Sequence, residues 1–518
     1  MQTHSFNSTY RWNLYSILLF ISIIILNLLR WSKLPTFIDI YYHLSVVKGF
    51  SIAGGYVLRS FWEYAPFGRP HIYPPFTHIL ILLFYKFNIP LLLIAKIIEF
   101  LIFPVLIIII WYVIKGLFHR RLAFFTILIA SSTYSFYLSV GNLIPASLAL
   151  IFGFLAFFFI ERKKIIASSL LLVFCFYSHT GVSLYLYLAL LVYGLLNREI
   201  FKQSYLALVS ASILDLPLII HQLISFSYID LANIKENFPL EINLLVYVST
   251  FFGLIIAFRK RGRYLLFVSM VIAIIPFMLI YKYRFLSGQG MIGVILSSAL
   301  LYSWIYGEIY KKVLRMHKRI IYLLSYFLLV CLLFLISSAS IYSYKGNIGF
   351  LTFNSTYVNF IKKESRLIRA NEISLYYPRI WQETAKIIEK NFDRNDIIYS
   401  NAPYAGGIVS VFSYHPTSTG MLSEVRPYKD FDQIAVSKII VWFKEENGKV
   451  DKTLSSLIKR YDLEKVGETE FVYIYKNPHA ETPKIKPKAI IPTRLLFMIL
   501  FFISCLIIQD VARNYNQR

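Results

Sequence analysis

Long apolar runs separated by short polar stretches recur along the chain from residue 12 to its end. A helix needs about 20 apolar residues to cross the roughly 30 Å hydrocarbon layer of a membrane, and many of these runs are long enough. The first run, near residues 12–29, is not followed by a small-residue cleavage pattern, so we interpret it as a retained anchor. The pattern predicts a polytopic α-helical membrane protein.

Short basic loops between the apolar runs give the predicted helices an orientation. Loops rich in lysine and arginine stay in the cytoplasm, and helical hairpins between them place the opposite tips outside. The predicted internal loops are 119–121, 161–164, 197–202, 259–263 and 311–319, and the predicted external tips are 141–145, 177–181, 222–241 and 281–290. The sequence of residues 76–118 predicts two helices. The rule that basic loops stay in the cytoplasm instead requires an odd number of membrane crossings there. The total is therefore about 11 to 13 helices.

The remaining polar sequence predicts a second domain outside the membrane. Residues 1–342 form the membrane domain with an external loop at 30–76, residues 343–489 an external domain, and residues 490–518 a last helix and basic tail. Within the external domain, 380–392 and 451–461 have helical periodicity, whereas 395–400, 406–414, 437–443 and 470–476 resemble strands. We expect a small α/β domain before the last membrane helix, with the turn-rich segment 400–407 bordering the site.

Composition supports the membrane assignment and argues against nucleic acid as a partner. The chain of 518 residues is 57% hydrophobic with a formal net charge of +25, and its mean hydropathy is +0.59. Membrane orientation explains the basic loops more economically than nucleic-acid binding does. Cys175, Cys331 and Cys505 lie in apolar runs and are expected to pack in the membrane domain, without a disulfide or a metal.

Carboxylates are scarce in the membrane part, which narrows the search for a site. Beside the cytoplasmic loops or within spans lie Glu99, Glu161, Glu199, Asp215, Glu308 and Asp510, and outside lie Asp39, Glu63, Asp230, Glu236 and Glu241. Asp39 follows the first membrane helix, where a charge costs several kcal/mol unless it is solvated or paired. Alternatively, Asp39 caps a short helix in a solvent-exposed loop.

The neighbours of Asp39 favour a functional role. A helical turn in "DIYYH" places Asp39 and His43 on one face, and "GRPHIYPP" returns Arg69 and His71 to the same loop. This arrangement resembles the GT-C superfamily of membrane glycosyltransferases, in particular the archaeal oligosaccharyltransferase catalytic subunits. The resemblance covers the N-terminal 80 residues and implies that Asp39 is the essential acid, as general base or as ligand of an optional divalent metal such as Mg or Mn.

A second local match is "YKYRFLSGQG" at 281–290, where a basic residue opens a late helix. The GT-C resemblance implies that Arg284 holds the phosphate of a lipid-linked donor, with Lys282 as an accessory. A guanidinium makes charge-assisted, bidentate contacts with phosphate oxygens. In the alternative, the arginine side chain only extends to the membrane–water interface, with a tyrosine on either side of it in the sequence. His179 is expected to contact donor or acceptor, or else to end a helix.

His43, Glu63, Arg69 and His71 are expected to orient sugar hydroxyls or the base. The resemblance then implies an inverting membrane glycosyltransferase with a polyprenyl- or dolichyl-phosphate-linked sugar donor and a glycan, lipid or protein acceptor. The active site is expected on the external face of an archaeal or bacterial plasma membrane.

The chain also departs from the oligosaccharyltransferase pattern. The peptide-binding motif Trp-Trp-Asp-Tyr-Gly does not occur after residue 343, and no acidic pair accompanies "GNLIP" at 141–145. These differences favour an acceptor other than a protein sequon. The alternatives from other classes are a transporter or flippase of lipid-linked glycans and an inactive GT-C scaffold.

The predicted orientation is tested with single cysteines in a chain whose three native cysteines are replaced by serine. Lys452→Cys, in the predicted external domain, should react with a membrane-impermeant maleimide in intact cells, because that domain faces outward. Arg261→Cys, in an internal loop, should react only after lysis. The opposite pattern would reverse the orientation of the whole chain.

Overall fold

The computed structural model describes residues 2–35, 39–141, 144–230, 240–315, 339–344, 347–353, 378–421, 424–444, 452–481 and 487–512, with residues 327 and 331. The first helices are α1 (Gln2–Leu29), α2 (Asp39–Ala53), α3 (Phe76–Lys86), α4 (Leu91–Leu117), α5 (Arg120–Ser132), α6 (Tyr134–Gly141) and α7 (Ile144–Ile160). The bundle continues with α8 (Ile165–Ser178), α9 (Thr180–Leu196), α10 (Phe201–Ile224), α11 (Leu244–Lys260), α12 (Leu265–Ile280) and α13 (Met291–Arg315).

The structure confirms a polytopic α-helical membrane protein with a small α/β domain. Six described helices are long and apolar enough to span a membrane, and the bent pair α6 and α7 adds a seventh. Three shorter apolar helices, α3, α8 and α9, lie among them. The expected number of crossings also included the run at 320–342, most of which lies outside the described residues.

The structure resolves the crossing problem at residues 76–118. Two helices are present, as expected, but α3 has 11 residues and α4 has 27. At 1.5 Å per residue α3 is about 16 Å long, too short for a hydrocarbon layer of roughly 30 Å, whereas α4 is long enough. One full crossing therefore accounts for the odd number that the charge rule requires.

Two of the predicted internal loops, 161–164 and 259–263, meet beside the end of the last helix. The Arg263 guanidinium is 2.6 Å from the carboxylate of Glu161, and the Lys164 ammonium donates to the backbone carbonyl of Asp510. Within the bundle, the Tyr187 hydroxyl donates to the buried Asp215 carboxylate at 2.7 Å. These contacts give the carboxylates of Glu161 and Asp215 a structural partner.

A four-stranded sheet organises the α/β domain. Its strands are β7 (Ile398–Ser400), β8 (Ile439–Phe443), β9 (Glu464–Glu468) and β10 (Val472–Lys476), in the order β7-β8-β10-β9, and only the β7–β8 pair is parallel. The helices are α14 (Pro378–Asn391), α15 (Pro403–Ser413) and α16 (Lys452–Tyr461). The last membrane helix, α17 (Thr493–Ala512), follows this domain.

One predicted strand of this domain is wrong. Residues 406–414, expected to be extended, belong mostly to α15. Pro403 suits the first turn of a helix. Most residues of α15 are buried, so no polar face reveals the helical period. Gly407 also brings this helix close to the core, because a Cβ there would lie 2.0 Å from the sulfur of Met421. Strand β9 was not predicted.

Short strands attach the first external loop to the rest of the molecule. β1 (Gly55–Tyr56) pairs with β11 (Ile491–Pro492), and β2 (Arg59–Ser60) pairs with β3 (Arg69–Pro70). A further sheet joins β4 (Leu240–Ile242), β5 (Ala339–Tyr344) and β6 (Asn347–Phe353). The loop and the α/β domain therefore sit together over one end of the bundle.

Candidate active site

A cavity of about 320 Å³ lies where the first loop, the helix ends and the α/β domain meet. Five of the residues predicted for the site line it: Asp39, His43, Arg69, His179 and Arg284. The tips at 177–181, 222–241 and 281–290 each contribute a residue, so the predicted hairpin pattern brings three separate tips to one place. The other lining residues include three tyrosines and Glu424.

Asp39 is the first residue of α2, and its half-buried carboxylate lines the cavity. Burial raises the pKa of Asp39 to about 6, because the charged form loses solvation. The positive charge of Arg284 opposes this rise, and the negative charge of Glu424 adds to it. A carboxyl group with a pKa near 6 is mostly ionised at neutral pH and still binds protons well, which suits a general base.

Arg284 reaches the same cavity from a π-helical turn at Tyr283–Ser287. Its guanidinium lies 4.8 Å from the centre of the Tyr281 ring, a distance typical of a cation–π contact. Its Nη1 is 3.1 Å from Nε2 of His179. Two different helix junctions therefore bring a cation and an imidazole side by side.

The tautomer of His179 decides what this pair can bind. The backbone N–H of Val182 donates to Nδ1 of His179 at 3.2 Å, because His179 caps the start of α9. A neutral imidazole that accepts at Nδ1 carries its hydrogen on Nε2. Nε2 of His179 and Nη1 of Arg284 then both present N–H groups at 3.1 Å separation. Two nitrogens that both carry hydrogen repel each other at this distance, and a phosphate group beside them would accept a hydrogen bond from each.

Glu63 and Arg69, both predicted for the site, form a buried ion pair. Nη2 of Arg69 donates to Glu63 at 2.6 Å, and each side chain is only 3% exposed. Glu63 also accepts from the backbone N–H of Met421 at 3.0 Å, and Arg69 donates to the carbonyl of Val425 at 3.1 Å. The pair connects the first loop to the segment that closes the cavity.

Three histidines of the first loop pack together beneath the cavity. Nδ1 of His43 is 2.9 Å from Nε2 of His78, and Nδ1 of His71 is 3.2 Å from the hydroxyl of Ser60. Burial lowers the pKa of His43 and of His71 to about 3, so both rings are neutral at physiological pH. His43 lines the cavity, whereas His71 and His78 support it from behind.

Glu424 is the site residue that the sequence did not reveal. Its segment joins the loop after α10, where the Asp230 N–H donates to the Glu424 carbonyl at 2.8 Å. The Arg426 N–H donates to the Tyr228 carbonyl, and its guanidinium pairs with Asp230 at 2.9 Å. A single glutamate in a separate polar domain carries no motif, so only the tertiary fold identifies it.

The segment 400–407 lies near the two carboxylates of the site. Burial raises the pKa of Tyr404, and the charges of Asp39 and Glu424 raise it further. Lys282 is exposed and is not among the residues that line the cavity. Glu241 is buried beside β5, and Glu236 lies outside the described residues.

The donor set of the cavity does not match a divalent metal site. Within the described residues, no three histidine, cysteine, aspartate or glutamate side chains are grouped to hold a metal ion. The carboxylates of Asp39 and Glu424 share the cavity with the guanidinium of Arg284, which would repel a cation. Since the described residues do not supply a ligand set for Mg²⁺ or Mn²⁺, we derive no step through a metal.

Solved structures share this architecture. ArnT from Cupriavidus metallidurans in the apo state matches with a TM-score of 0.54 and 12% identity, over 92% of this chain and 100% of that chain. The oligosaccharyltransferase of Archaeoglobus fulgidus in the apo form matches with a TM-score of 0.58 and 12% identity, over 92% and 76% of the two chains. The chain has the GT-C fold. The expected resemblance is therefore confirmed at the level of fold.

A third structure carries a lipid phosphate. The A. fulgidus enzyme in complex with an inhibitory peptide and a dolichol-phosphate matches this GT-C fold with a TM-score of 0.55 and 12% identity, over 92% of this chain and 75% of that chain. No protein-family model and no curated protein sequence matches the chain.

The ion pair that connects the first loop to the cavity is tested by Glu63→Gln. Removing one partner of a buried pair leaves Arg69 without its main counter-charge, so the free energy of unfolding should fall by about 3 kcal/mol. Arg426→Gln breaks an ion pair whose arginine is 64% exposed, and the expected loss is below about 1 kcal/mol. Thermal unfolding of the purified variants in detergent measures both. Equal losses would contradict the special role of the buried pair.

Proposed function

We propose that the chain is an integral membrane glycosyltransferase that takes its sugar from a polyprenyl- or dolichyl-phosphate-linked donor. The observation that carries the proposal is the shared cavity of Asp39 and Arg284 at one end of a GT-C fold. A proton acceptor and a phosphate ligand are the two groups that such a transfer needs most. The dolichol-phosphate bound to the A. fulgidus enzyme supports this class of donor.

Arg284 and His179 are the proposed ligands of the donor phosphate. Nη1 of Arg284 and Nε2 of His179 lie 3.1 Å apart, so one phosphate group can reach both side chains. As the bond between the sugar and the phosphate breaks, negative charge grows on the departing phosphate oxygen. A guanidinium that stays ionised stabilises that charge, and it needs no reorganisation during the step.

Asp39 is the proposed general base. A hydroxyl or amide of the acceptor attacks the anomeric carbon, the new bond forms as the bond to the phosphate breaks, and the acceptor proton passes to the Asp39 carboxylate. Because this is a single displacement from the face opposite the leaving group, the anomeric configuration inverts. His43 and the three cavity tyrosines, which lie beside Asp39, are placed to orient sugar hydroxyls.

The acceptor is proposed to be a glycan, a lipid or a protein other than the sequon substrate of oligosaccharyltransferases. The chain lacks the Trp-Trp-Asp-Tyr-Gly motif, and it matches all of the ArnT chain but about three quarters of the oligosaccharyltransferase. The charge pattern of the loops favours an active site on the external face of the plasma membrane.

The competing functions are a transporter or flippase of lipid-linked glycans and an inactive GT-C scaffold. A transport pathway requires polar residues along the depth of the membrane. The charged residues of this cavity instead gather at one end of the bundle, over helix ends and beneath the α/β domain. That location favours an enzyme acting at the interface, and activity of the purified protein separates it from a scaffold.

The pH dependence of transfer tests Asp39. Activity should fall as the pH drops through an apparent pKa near 6, because only the ionised carboxylate accepts a proton. Glu424→Gln removes a negative charge that raises this pKa, so the acidic limb should move to lower pH. Asp39→Asn should lower kcat by about 10²-fold to 10⁴-fold without loss of membrane insertion. Initial rates across the pH range, with the purified protein, measure all three.

The matched control is Glu468→Gln, which removes an exposed carboxylate at the far edge of the sheet and should leave the profile in place. An Asp39→Asn variant with wild-type turnover would refute the base assignment. If Glu424→Gln left the acidic limb of the pH profile unchanged, the Glu424 charge would not act on the Asp39 carboxylate.

Substitutions of Arg284 test the phosphate contact. Arg284→Lys keeps the charge but loses the bidentate geometry, so donor affinity should fall by an intermediate amount. Arg284→Ala should cost on the order of 2 to 4 kcal/mol, the range for a desolvated charged contact. The measurement is the affinity of purified protein for polyprenyl phosphate. Arg259→Ala, in the exposed last turn of α11, is the charge-matched control and should bind like the wild type. Unchanged affinity in Arg284→Ala would remove the basis for a lipid-phosphate donor.

A further inference from the structure

A second, smaller cavity of about 70 Å³ is lined by the later part of α2, whereas the beginning of α2 lines the first cavity. Its walls come from α2, from Phe61 and Trp62 in the first loop, from the turn after α14 and from the end of α15. Among the residues that the structure describes, Lys48 and Arg394 are its only charged lining residues, and no carboxylate lines it. The cavity is therefore cationic.

Lys48 is buried there without a carboxylate partner. Its side chain is 6% exposed, and its ammonium lies 3.2 Å from the centre of the Tyr414 ring. Among the described residues no ion pair to Lys48 is present. Burial lowers the pKa of Lys48 to about 7, and the charge of Glu389 offsets only part of that effect. An aromatic face attracts a cation but leaves most of its three N–H donors without an acceptor.

Further polar groups of the lining lack partners. Nε1 of Trp62 and Nε2 of His415 are buried with no hydrogen-bond partner in the described part of the chain. Nδ1 of His415 lies 2.7 Å from the Ser413 carbonyl and so donates to it. Nε2 of His415 is then an acceptor, whereas the Trp62 N–H and the Lys48 ammonium are donors. Buried donors in native proteins normally have an acceptor, so these two favour a ligand that brings oxygen atoms.

The backbone places this cavity at the membrane interface. Thr493, the first residue of α17, donates its N–H to the Gly54 carbonyl at 2.9 Å, and Gly54 follows α2 directly. Pro487, shortly before that membrane helix, lines the cavity. Ile52 and Ile490, on either side of the junction, are each 58% exposed, as expected where side chains face acyl chains. A cationic cavity at this level faces lipid phosphates.

We propose that the Lys48–Arg394 cavity binds a phosphate group, carried by the headgroup of an anionic membrane phospholipid or present as free phosphate. A phosphate brings the oxygen acceptors that the Lys48 ammonium and the Arg394 guanidinium lack. The site is separate from the first cavity, because Lys48 lies nine residues along α2 from Asp39, or about 14 Å at 1.5 Å per residue. It does not rest on the proposed transferase activity.

Binding is measured on Arg284→Ala protein, so that the first cavity loses the guanidinium of its proposed phosphate site. In one arm, inorganic phosphate is titrated calorimetrically into protein in phosphatidylcholine nanodiscs. In the other, native mass spectrometry counts the phosphatidylglycerol molecules that the protein retains. Adding Lys48→Gln or Arg394→Gln should weaken binding of at least one probe about tenfold, the effect of losing one charge-assisted contact.

Lys86→Gln is the matched control, since Lys86 is an exposed lysine on neighbouring α3 that donates to Ser51 and lies outside the cavity. It should bind both probes like its parent. A response of phosphatidylglycerol alone assigns the site to a lipid headgroup, and a response to inorganic phosphate assigns it to a free anion. Arg394 is exposed, so Arg394→Gln remains informative if Lys48→Gln fails to fold. No binding by the parent, or equal loss in Lys86→Gln, would overturn the proposal.

Discussion

The buried ion pair between Glu63 and Arg69 determines how the two parts of this protein face each other. Both side chains are almost fully removed from solvent, and each makes a second contact, to the Met421 amide and to the Val425 carbonyl. Charges buried in this way are tolerated only when every donor and acceptor has a partner. The pair therefore requires the segment around residue 424 to sit directly over the first loop. The candidate active site exists because of that requirement.

The balance of charge in the cavity follows from this packing. Glu424 arrives from the α/β domain, Asp39 from the first loop and Arg284 from a late helix junction, so the site is assembled from distant parts of the chain. Burial and Glu424 raise the pKa of Asp39, whereas Arg284 lowers it, and the result near 6 suits a base at neutral pH. The same guanidinium, beside the Nε2–H of His179, remains available to an anion.

Sequence patterns predicted the membrane class, the hairpin ends and Asp39 as a candidate, whereas the role of Arg284 was implied by the GT-C resemblance. Those features depend on local hydrophobicity, loop charge and the scarcity of acids in an apolar chain. The helix at Pro403–Ser413 was mistaken for a strand because most of its residues are buried, so it has no regularly spaced polar face. Glu424 and the structural role of Glu63 were not foreseen, since both depend on contacts between residues more than 350 positions apart.

The most direct test of the account is a mass-spectrometric assay that does not require the donor sugar to be known. Purified protein is incubated with the total lipid extract of cells that lack it, with Asp39→Asn protein as the blank. The account predicts that the wild type consumes a polyprenyl-phosphate-linked sugar and releases the polyprenyl phosphate, whereas Asp39→Asn leaves both unchanged. Indistinguishable lipid profiles in the two samples, or transfer from a nucleotide sugar in lipid-free detergent, would contradict it.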